Sequence, residues 1–213
     1  MDRIALHNTL PCVFEGREVQ SDIWSQDITF QKGETILVEA SSGTGKSSLC
    51  SYIIGYRKDY LGNILFDGSD IRQYSVSDWT SIRQHTLSLL FQELRLFPEL
   101  TALENVQIKN GLTGHKRLCE IEDWFQRLGI ADKMEAKVGR MSFGQQQRVA
   151  MIRALVQPFD FLMVDEPISH LDDENSAIMA EIMMEEARSQ GAGVIVTSIG
   201  KHMNMSYDKT YRL

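Results

Sequence analysis

The residues most able to do chemistry lie in one short segment, Ser42-Gly-Thr-Gly-Lys-Ser47, which follows the apolar run Ile36–Val38. Glycines let the backbone curl so that successive N–H groups point at phosphate oxygens, and a following helix adds the partial positive charge of its N-terminus. In such a loop, Lys46 can reach the β- and γ-phosphates of a nucleotide, and the Ser47 hydroxyl can bind Mg²⁺. The predicted phosphate-binding residues are Ser41, Ser42, Gly43, Thr44, Gly45, Lys46, Ser47 and Ser48.

One position departs from the usual pattern of this loop. The pattern G-x-x-x-x-G-K-[ST] begins with a glycine, where this chain has Ala40. An alanine fits there only if its φ is negative, because a side chain disfavours the left-handed region. We therefore expect a negative φ at Ala40.

Two adjacent carboxylates, Asp165 and Glu166, end a second apolar run, Phe161–Val164. Neighbouring carboxylates at the tip of a buried strand are costly unless a cation holds them. Alone, such a pair would be read as a solvated strand end. With a phosphate loop upstream, Asp165 is the expected partner of Mg²⁺, and Glu166 is the expected base that orients and deprotonates an attacking water.

These residues need a fold that brings them to one place. Short β-branched or apolar runs alternate with longer helical patterns, which is typical of an α/β fold with a mostly parallel sheet. The predicted strands lie near Ile4–Leu6, Ile28–Phe30, Thr35–Glu39, Asn63–Phe66, Leu87–Leu90, Phe161–Val164 and Val194–Thr197. The predicted helices follow Gly45 and cover Val76–Gln84, Ala102–Lys109, Arg117–Leu128, Phe143–Val156 and Asp173–Arg188.

The alternation stops between residues 92 and 157, where the patterns are helical with no convincing strand. Thr101–Glu104 and Ser142–Gln145 both fit the capping box that begins a helix. We therefore expect a single domain, residues 1–213. Within it, residues 1–91 and 158–213 form the α/β core, and residues 92–157 form an inserted helical subdomain.

Composition narrows the class of protein. The chain has 22 Lys+Arg and 29 Asp+Glu, a net charge of −7, with 43% hydrophobic and 24% charged residues. This balance is that of a globular protein and excludes disorder, collagen and a small disulfide scaffold. The acidic charge argues against a nucleic-acid partner. Reduced cysteines, short apolar runs and the lack of a signal-peptide pattern predict a cytoplasmic location.

Five motifs in order along the chain resemble those of the ATP-binding-cassette (ABC) ATPases, the nucleotide-binding subunits of ABC transporters. They are the phosphate loop, Gln92 in Leu89-Leu-Phe-Gln-Glu93, the signature-like Met141-Ser-Phe-Gly-Gln-Gln-Gln-Arg148, the pair Asp165-Glu166, and Ser169-His-Leu-Asp172. The resemblance implies an ABC core with a P-loop NTPase sheet, an N-terminal antiparallel β portion, and ATP and Mg²⁺ as cofactors. It also implies that Gln92 senses Mg²⁺ and the attacking water.

The signature-like segment has two compatible interpretations. Ser142 and Gln145 form a capping box, and a helix N-terminus with a free hydroxyl and a small Gly144 also binds anions. In the family this end contacts the γ-phosphate held by a second subunit, which implies a head-to-tail homodimer on ATP binding with Asp172 at the same interface. Phe143 replaces the usual glycine of the signature.

A further departure is Ser198 in Val194-Ile-Val-Thr-Ser198, where the family has a histidine that contacts the γ-phosphate. A serine hydroxyl can donate one hydrogen bond but is shorter and carries no positive charge. Binding should therefore survive better than hydrolysis, and the alternative function is a weakly hydrolysing or non-hydrolysing regulatory subunit. His202 could approach only if this segment were helical, so we expect a surface histidine.

The resemblance implies two further contacts. An aromatic residue near the first strands stacks on adenine in the family, and Phe14 is the candidate, with Val13 in the other register. Residues 91–106 look most like the lipoprotein-release, macrolide-export and cell-division ATPases. These imply a transmembrane permease partner at the inner face of the plasma membrane, bound in a cleft lined by Leu94, Leu96 and Phe97. An ABC-type DNA-repair ATPase is disfavoured, because no heptad run separates the phosphate loop from the signature.

Overall fold

Strands and helices alternate along the chain, and the strands form two sheets. The computed structural model describes residues 1–41, 43–168, 172–200 and 202–213. Its strands are β1 (Arg3–Pro11), β2 (Asp27–Gln31), β3 (Thr35–Glu39), β4 (Tyr60–Phe66), β5 (Ser69–Asp70), β6 (Leu87–Leu90), β7 (Phe161–Asp165), β8 (Gly193–Ser198) and β9 (Lys209–Arg212). Its α-helices are α1 (Lys46–Ile53), α2 (Val76–His85), α3 (Ala102–Asn110), α4 (Leu118–Arg127), α5 (Phe143–Leu155) and α6 (Asp173–Ser189).

The larger sheet has the order β6-β7-β8-β3-β9, and all its pairs are parallel. Every residue of β6, β7 and β8 is buried, as expected for parallel strands that are covered on both faces. Parallel pairing brings the carboxyl ends of the strands to one edge, where Glu39 is in register with Ser198, and Asp165 with Thr197. The predicted chemical residues therefore share one edge of the sheet.

The smaller sheet is antiparallel, in the order β2-β1-β4-β5. It packs in a cluster with Trp24, α1 and one face of the parallel sheet, and residues such as Ile4, Phe30 and Ile64 are fully buried there. The register of β1 against β4 shifts between His7 and Leu10. Asn8 lies there with a φ of 47°. This sheet confirms the antiparallel β portion that the family resemblance implied.

Between residues 92 and 157 the described structure contains α3, α4 and α5 with short 3₁₀ turns and no named strand. The capping boxes at Thr101 and Ser142 are present as predicted, and Ser75 forms a third one at the start of α2. Helix α5 joins this region to the parallel sheet, because Ser88 Oγ of β6 donates to Ala154 O at 2.6 Å.

All seven predicted strands are present, and the helices agree within a residue or two at their ends. Sequence reasoning missed β5 and β9. Strand β9 lies at the edge of the sheet beside β3, and its residues alternate between half-buried and exposed, so it lacks the apolar run that identified the central strands. None of the helices in the described parts of the chain has the length and apolar character needed to cross a bilayer.

Candidate functional site

The phosphate loop begins where β3 ends. The Ala40 N–H donates to Ser198 O at 3.0 Å, and Ala40 is not among the residues with positive φ, as predicted. Gly43 and Gly45 have φ values of 85° and 100°, which glycine adopts without strain. Thr44 Oγ1 closes the turn by donating to Ser41 O at 2.9 Å. Ser42, also predicted for this site, lies outside the described residues.

A buried tryptophan, Trp24, packs against the phosphate loop. Trp24 is fully buried, and its Nε1–H donates to Thr44 O at 2.9 Å. A Cβ placed on Gly45 would lie 3.2 Å from the Trp24 ring and 3.4 Å from the Phe14 ring. Gly45 is therefore required both by its φ and by the close approach of two aromatic side chains. Sequence reasoning missed Trp24, since its local sequence gives no sign of a contact twenty residues later.

Ser47 and Asp165, both predicted as Mg²⁺ ligands, meet at the end of β7. Asp165 is buried and accepts hydrogen bonds from the hydroxyls of Thr197, at 2.5 Å, and of Ser47. Burial raises the pKa of Asp165, although these hydrogen bonds and the charge of Lys46 oppose the shift. A carboxylate and a hydroxyl side by side are the hard oxygen ligands that Mg²⁺ prefers.

Glu166 holds two of the other predicted residues. Its Oε1 lies 2.7 Å from Lys46 Nζ, and its Oε2 accepts from Gln92 Nε2 at 3.2 Å. Its φ of 50° is in the left-handed region, which for a non-glycine residue is uncommon and clusters at functional sites. The structure thus brings Lys46, Gln92 and Glu166 together beside the Ser47–Asp165 pair.

Ser198 is buried, whereas His202 is exposed. Ser198 is 2% exposed and ends β8 next to Glu39, at the start of the phosphate loop. His202 is 44% exposed on its side chain, 4.0 Å from Glu39 and edge-on to Tyr207. No helix is present in the described residues between Ser198 and β9, so His202 is the expected surface histidine.

The signature-like residues lie at the exposed start of α5. Gln145 N–H donates to Ser142 Oγ at 3.3 Å, and Ser142 N–H donates back to Gln145 Oε1 at 3.0 Å. Arg148 extends from Gly144 O, at 3.2 Å, to Asn175 Oδ1, at 2.8 Å.

Asp172 contacts Asn175, the residue to which Arg148 donates. It caps α6 by accepting from Asn175 N–H at 2.8 Å and from Asn175 Nδ2 at 2.7 Å. These hydrogen bonds hold the pKa of Asp172 below its usual value. Gln147 Nε2 also donates to Pro167 O, directly after Glu166. The other residues predicted for this motif, 169–171, lie outside the described parts of the chain.

The predictions for the aromatic residue near the phosphate loop and for the residues lining the cleft have different outcomes. Phe14 is half-buried beside Gly45, whereas Val13 is 59% exposed, so Phe14 is the residue that the structure places at the loop. Phe97 lines a cleft of about 240 Å³. The prediction for Leu94 is wrong, because Leu94 is buried in the core and presents only its backbone O, to Arg153. Leu96 is partly buried against the same core.

The residues present fit MgATP. Two left-handed glycines precede α1, Lys46 lies at the N-terminus of that helix, and the oxygen pair of Ser47 and Asp165 lies beside it. Phosphate groups favour such a helix N-terminus because its N–H groups and partial positive charge face them. The arrangement can bind phosphates and a divalent cation, and Glu166 offers a base next to them.

Comparison with known proteins agrees with this geometry. Residues 25–169 match the family model described as ABC transporter. The lipoprotein-releasing system ATP-binding protein LolD of Geobacter metallireducens is 32% identical over 190 residues, 88% of this chain and 84% of LolD. The macrolide export ATP-binding/permease protein MacB of a Shewanella species is 29% identical over 86% of this chain and 28% of MacB.

One of the similar solved structures is a dimer. The dimeric post-hydrolysis state of the ATP-binding cassette MJ0796 with ADP and Pi superposes with a TM-score of 0.73 and 26% identity. The match covers 92% of this chain and 87% of that one.

Proposed function

Because this chain belongs to the ABC transporter family of ATPases, we propose that it binds MgATP between two head-to-tail copies and hydrolyses it to drive a membrane permease. The observation that carries the proposal is the convergence of Lys46, Gln92 and Glu166 on the Ser47–Asp165 pair at one sheet edge. Nothing else in the described structure unites a phosphate loop, a pair of oxygen ligands and a base.

Each residue has a role in this proposal. Lys46 and the backbone N–H groups of the loop bind phosphate oxygens, and Phe14 stacks on the adenine. Ser47, Asp165 and Gln92 hold Mg²⁺, which supplies charge neutralisation for the phosphates when bound. Glu166 orients a water and accepts its proton. The remaining loop residues that bind phosphate are Ser41, Ser42, Gly43, Thr44, Gly45 and Ser48.

The second copy completes the site. Ser142, Gly144 and Gln145 lie at a helix N-terminus where Ser142 is an exposed residue, so they can meet the phosphate held by a partner chain. Asp172 lies at the start of α6 and joins this surface through Asn175 and Arg148. The dimeric MJ0796 cassette supports this arrangement.

A permease partner is supported by the names of LolD and MacB. We infer that the protein acts at the inner face of the plasma membrane, bound to the permease through the cleft that Phe97 lines. We further infer that residues 92–157 form a helical subdomain of one domain and present that cleft.

The nucleotide site is tested by Lys46→Ala. We expect ATP affinity to fall by at least tenfold, since an ammonium bound to phosphate contributes a charge-assisted contact. Equilibrium binding of a fluorescent ATP analogue measures this. The control is Lys133→Ala, because Asp132 is the one ion-pair partner of this surface lysine among the described residues. Unchanged affinity in Lys46→Ala would overturn the assignment of the site.

A second candidate function follows from Ser198. A buried serine hydroxyl cannot supply the positive charge of a protonated histidine next to the phosphates. The chain would then use ATP mainly to dimerise, with slow turnover. Phosphate release by wild type, Ser198→His and Glu166→Gln separates the two functions. A wild-type rate that is lost in Glu166→Gln and unchanged in Ser198→His supports the hydrolytic subunit.

A further inference from the structure

Arg57 contacts the phosphate loop from the segment between α1 and β4. Its Nη1 donates to Ser48 Oγ at 2.9 Å, and its Nε donates to Asp59 Oδ1 at 2.9 Å. Nη2 also pairs with Asp59 Oδ2, so the guanidinium holds this carboxylate with two hydrogen bonds. Ser48 is the last of the predicted phosphate-binding residues. One arginine therefore joins a residue of the loop to a carboxylate just before β4.

The backbone that carries this carboxylate is itself held on two sides. Asp59 O accepts from Cys12 N–H at 3.0 Å and from Tyr52 Oη at 3.1 Å. Cys12 follows β1, and Tyr52 lies in α1. Arg57 therefore pairs with a residue that is fixed to both elements.

Arg57 also packs on a buried ring. The Tyr52 side chain is fully buried, and the Arg57 guanidinium lies 5.3 Å from the centre of its ring. A guanidinium over an aromatic face gains a cation–π attraction, and its planar fork is pre-organised for hydrogen bonds. The ring contact and the pairing with Asp59 thus orient the remaining donor, Nη1, toward Ser48, although the arginine is exposed to solvent.

The contact with Arg57 determines what the Ser48 hydroxyl can do. A serine hydroxyl has one proton to donate and two lone pairs that accept, whereas a guanidinium can only donate. Arg57 therefore occupies a lone pair of Ser48 and leaves the proton to be donated. Tyr52 Oη is within hydrogen-bond range of the half-buried Ser48, and an oxygen of a bound phosphate is the stronger acceptor because it is charged. The positive charge beside Oγ polarises the O–H bond and strengthens it as a donor.

We propose that Arg57 is a positioning residue of the nucleotide site, which fixes the Ser48 hydroxyl as a donor to a phosphate oxygen. The inference rests on the proposed function, from which it takes the phosphate-binding role of Ser48. Arg57 acts through Ser48, so its removal weakens nucleotide binding only while the Ser48 hydroxyl is present.

Arg72 provides a matched control. It pairs with Asp70 and lies 5.6 Å from the centre of the Tyr60 ring, so it repeats the carboxylate and ring contacts of Arg57. Its other hydrogen-bond partner among the described residues is Asn63, which lies in β4 and not in the phosphate loop. Arg72→Gln therefore removes a similar surface arginine without disturbing Ser48.

A double-mutant cycle of Arg57→Gln and Ser48→Ala tests the proposal, with affinity for a fluorescent ATP analogue as the measurement. We expect each single variant to bind about tenfold more weakly than wild type, which is the effect of one hydrogen bond to a charged group. The double variant should also bind about tenfold more weakly, because both substitutions remove the same contact. Arg72→Gln should bind like wild type.

Arg57→Lys separates position from charge. A lysine keeps the positive charge, but its single ammonium on a flexible stem cannot hold Asp59 and Ser48 in one fixed plane. We expect its affinity to be as low as that of Arg57→Gln. Chemical denaturation of every variant identifies misfolding, and if Arg57→Gln unfolds, the cycle is run with Arg57→Lys, for which the same non-additivity is expected.

Three results overturn the proposal. They are wild-type affinity in Arg57→Gln, wild-type affinity in Arg57→Lys, and a double variant that is weakened about a hundredfold, which would mean that the two residues act independently. The Lys46→Ala assay keeps the two proposals apart. If Lys46→Ala weakens binding and Arg57→Gln does not, only the role of Arg57 fails, whereas unchanged affinity in Lys46→Ala means that the nucleotide site itself is wrong.

Discussion

Two lysines differ in the charges around them: Lys46 is buried, and Lys109 is half-buried. Lys46 contacts the carboxylate of Glu166 and lies near Asp165, so its region contains anions of its own. Lys109 lies among apolar side chains and near Arg153, with no described carboxylate in reach. The difference separates a balanced site, whose charges pair within the chain, from an unbalanced site, whose described surroundings contain no carboxylate.

The strongest test of the balanced site is Glu166→Gln. Removing the base should lower ATP hydrolysis by about 10²-fold or more. Binding of ATP should persist, because Lys46 and the loop remain. Phosphate release and nucleotide affinity, measured on the same sample, check this, with the exposed Glu122→Gln as control. Hydrolysis equal to wild type would show that the ion pair with Lys46 has only a structural role.

The loop itself is tested by Gly45→Ala and a matched glycine. Gly45 and Gly114 both have positive φ, but only Gly45 has side chains within contact of an added Cβ. We expect Gly114→Ala to lower the free energy of unfolding by about 1 kcal/mol and Gly45→Ala by about 2–3 kcal/mol. Chemical denaturation measures both. Equal losses of unfolding free energy in the two variants would mean that the Trp24 and Phe14 rings move aside for the added Cβ at no energetic cost.

Asp165→Asn should separate stability from metal binding. Since burial raises the pKa of Asp165, the folded protein binds that proton more tightly than the unfolded chain, and its ionisation above pH 3.8 lowers stability. The asparagine variant should therefore unfold at a higher temperature than wild type at neutral pH without nucleotide. MgATP should raise the unfolding temperature of wild type only. A variant that MgATP still stabilises would contradict the assignment of the metal ligand.

The smallest effect is expected at the unbalanced site. Lys109→Met should raise the free energy of unfolding by about 1 kcal/mol at neutral pH, which is roughly 2–4 °C in the unfolding temperature. Because the pKa of Lys109 is lowered to about 8, wild-type stability should rise between pH 8 and 10.5 and approach that of the variant. Thermal unfolding across this range checks the difference. A difference independent of pH would point to packing instead of charge.

The sheet edge could be predicted because its strands are continuous apolar runs that end at polar residues. Asp165, Ser198 and the loop after Glu39 all follow from that pattern. Leu94 could not be placed, because its position depends on two consecutive left-handed residues that carry no glycine. Trp24 could not be placed either, since its partner Thr44 is distant in sequence.

The cleft that Phe97 lines, which also contains Arg95, Lys109 and Arg153, shows a different limit of prediction from sequence. Its lysine and arginines come from three separate segments, and each is unremarkable in its own sequence. Only the fold brings them together, and no described carboxylate lines the same cleft. Pairing of charges over long sequence separation is a tertiary property that composition and periodicity do not encode.

Helix α5 carries side chains that contact both the cleft and the start of α6. Arg153 lies at the cleft, and Arg148, five residues earlier, reaches Asn175 beside Asp172, about 7.5 Å along the helix axis. Gln147 of the same helix donates a hydrogen bond to Pro167 O, next to Glu166. Since α5 is one continuous helix, Phe143–Leu155, a displacement of its cleft end would also move its contacts with Asn175 and Pro167.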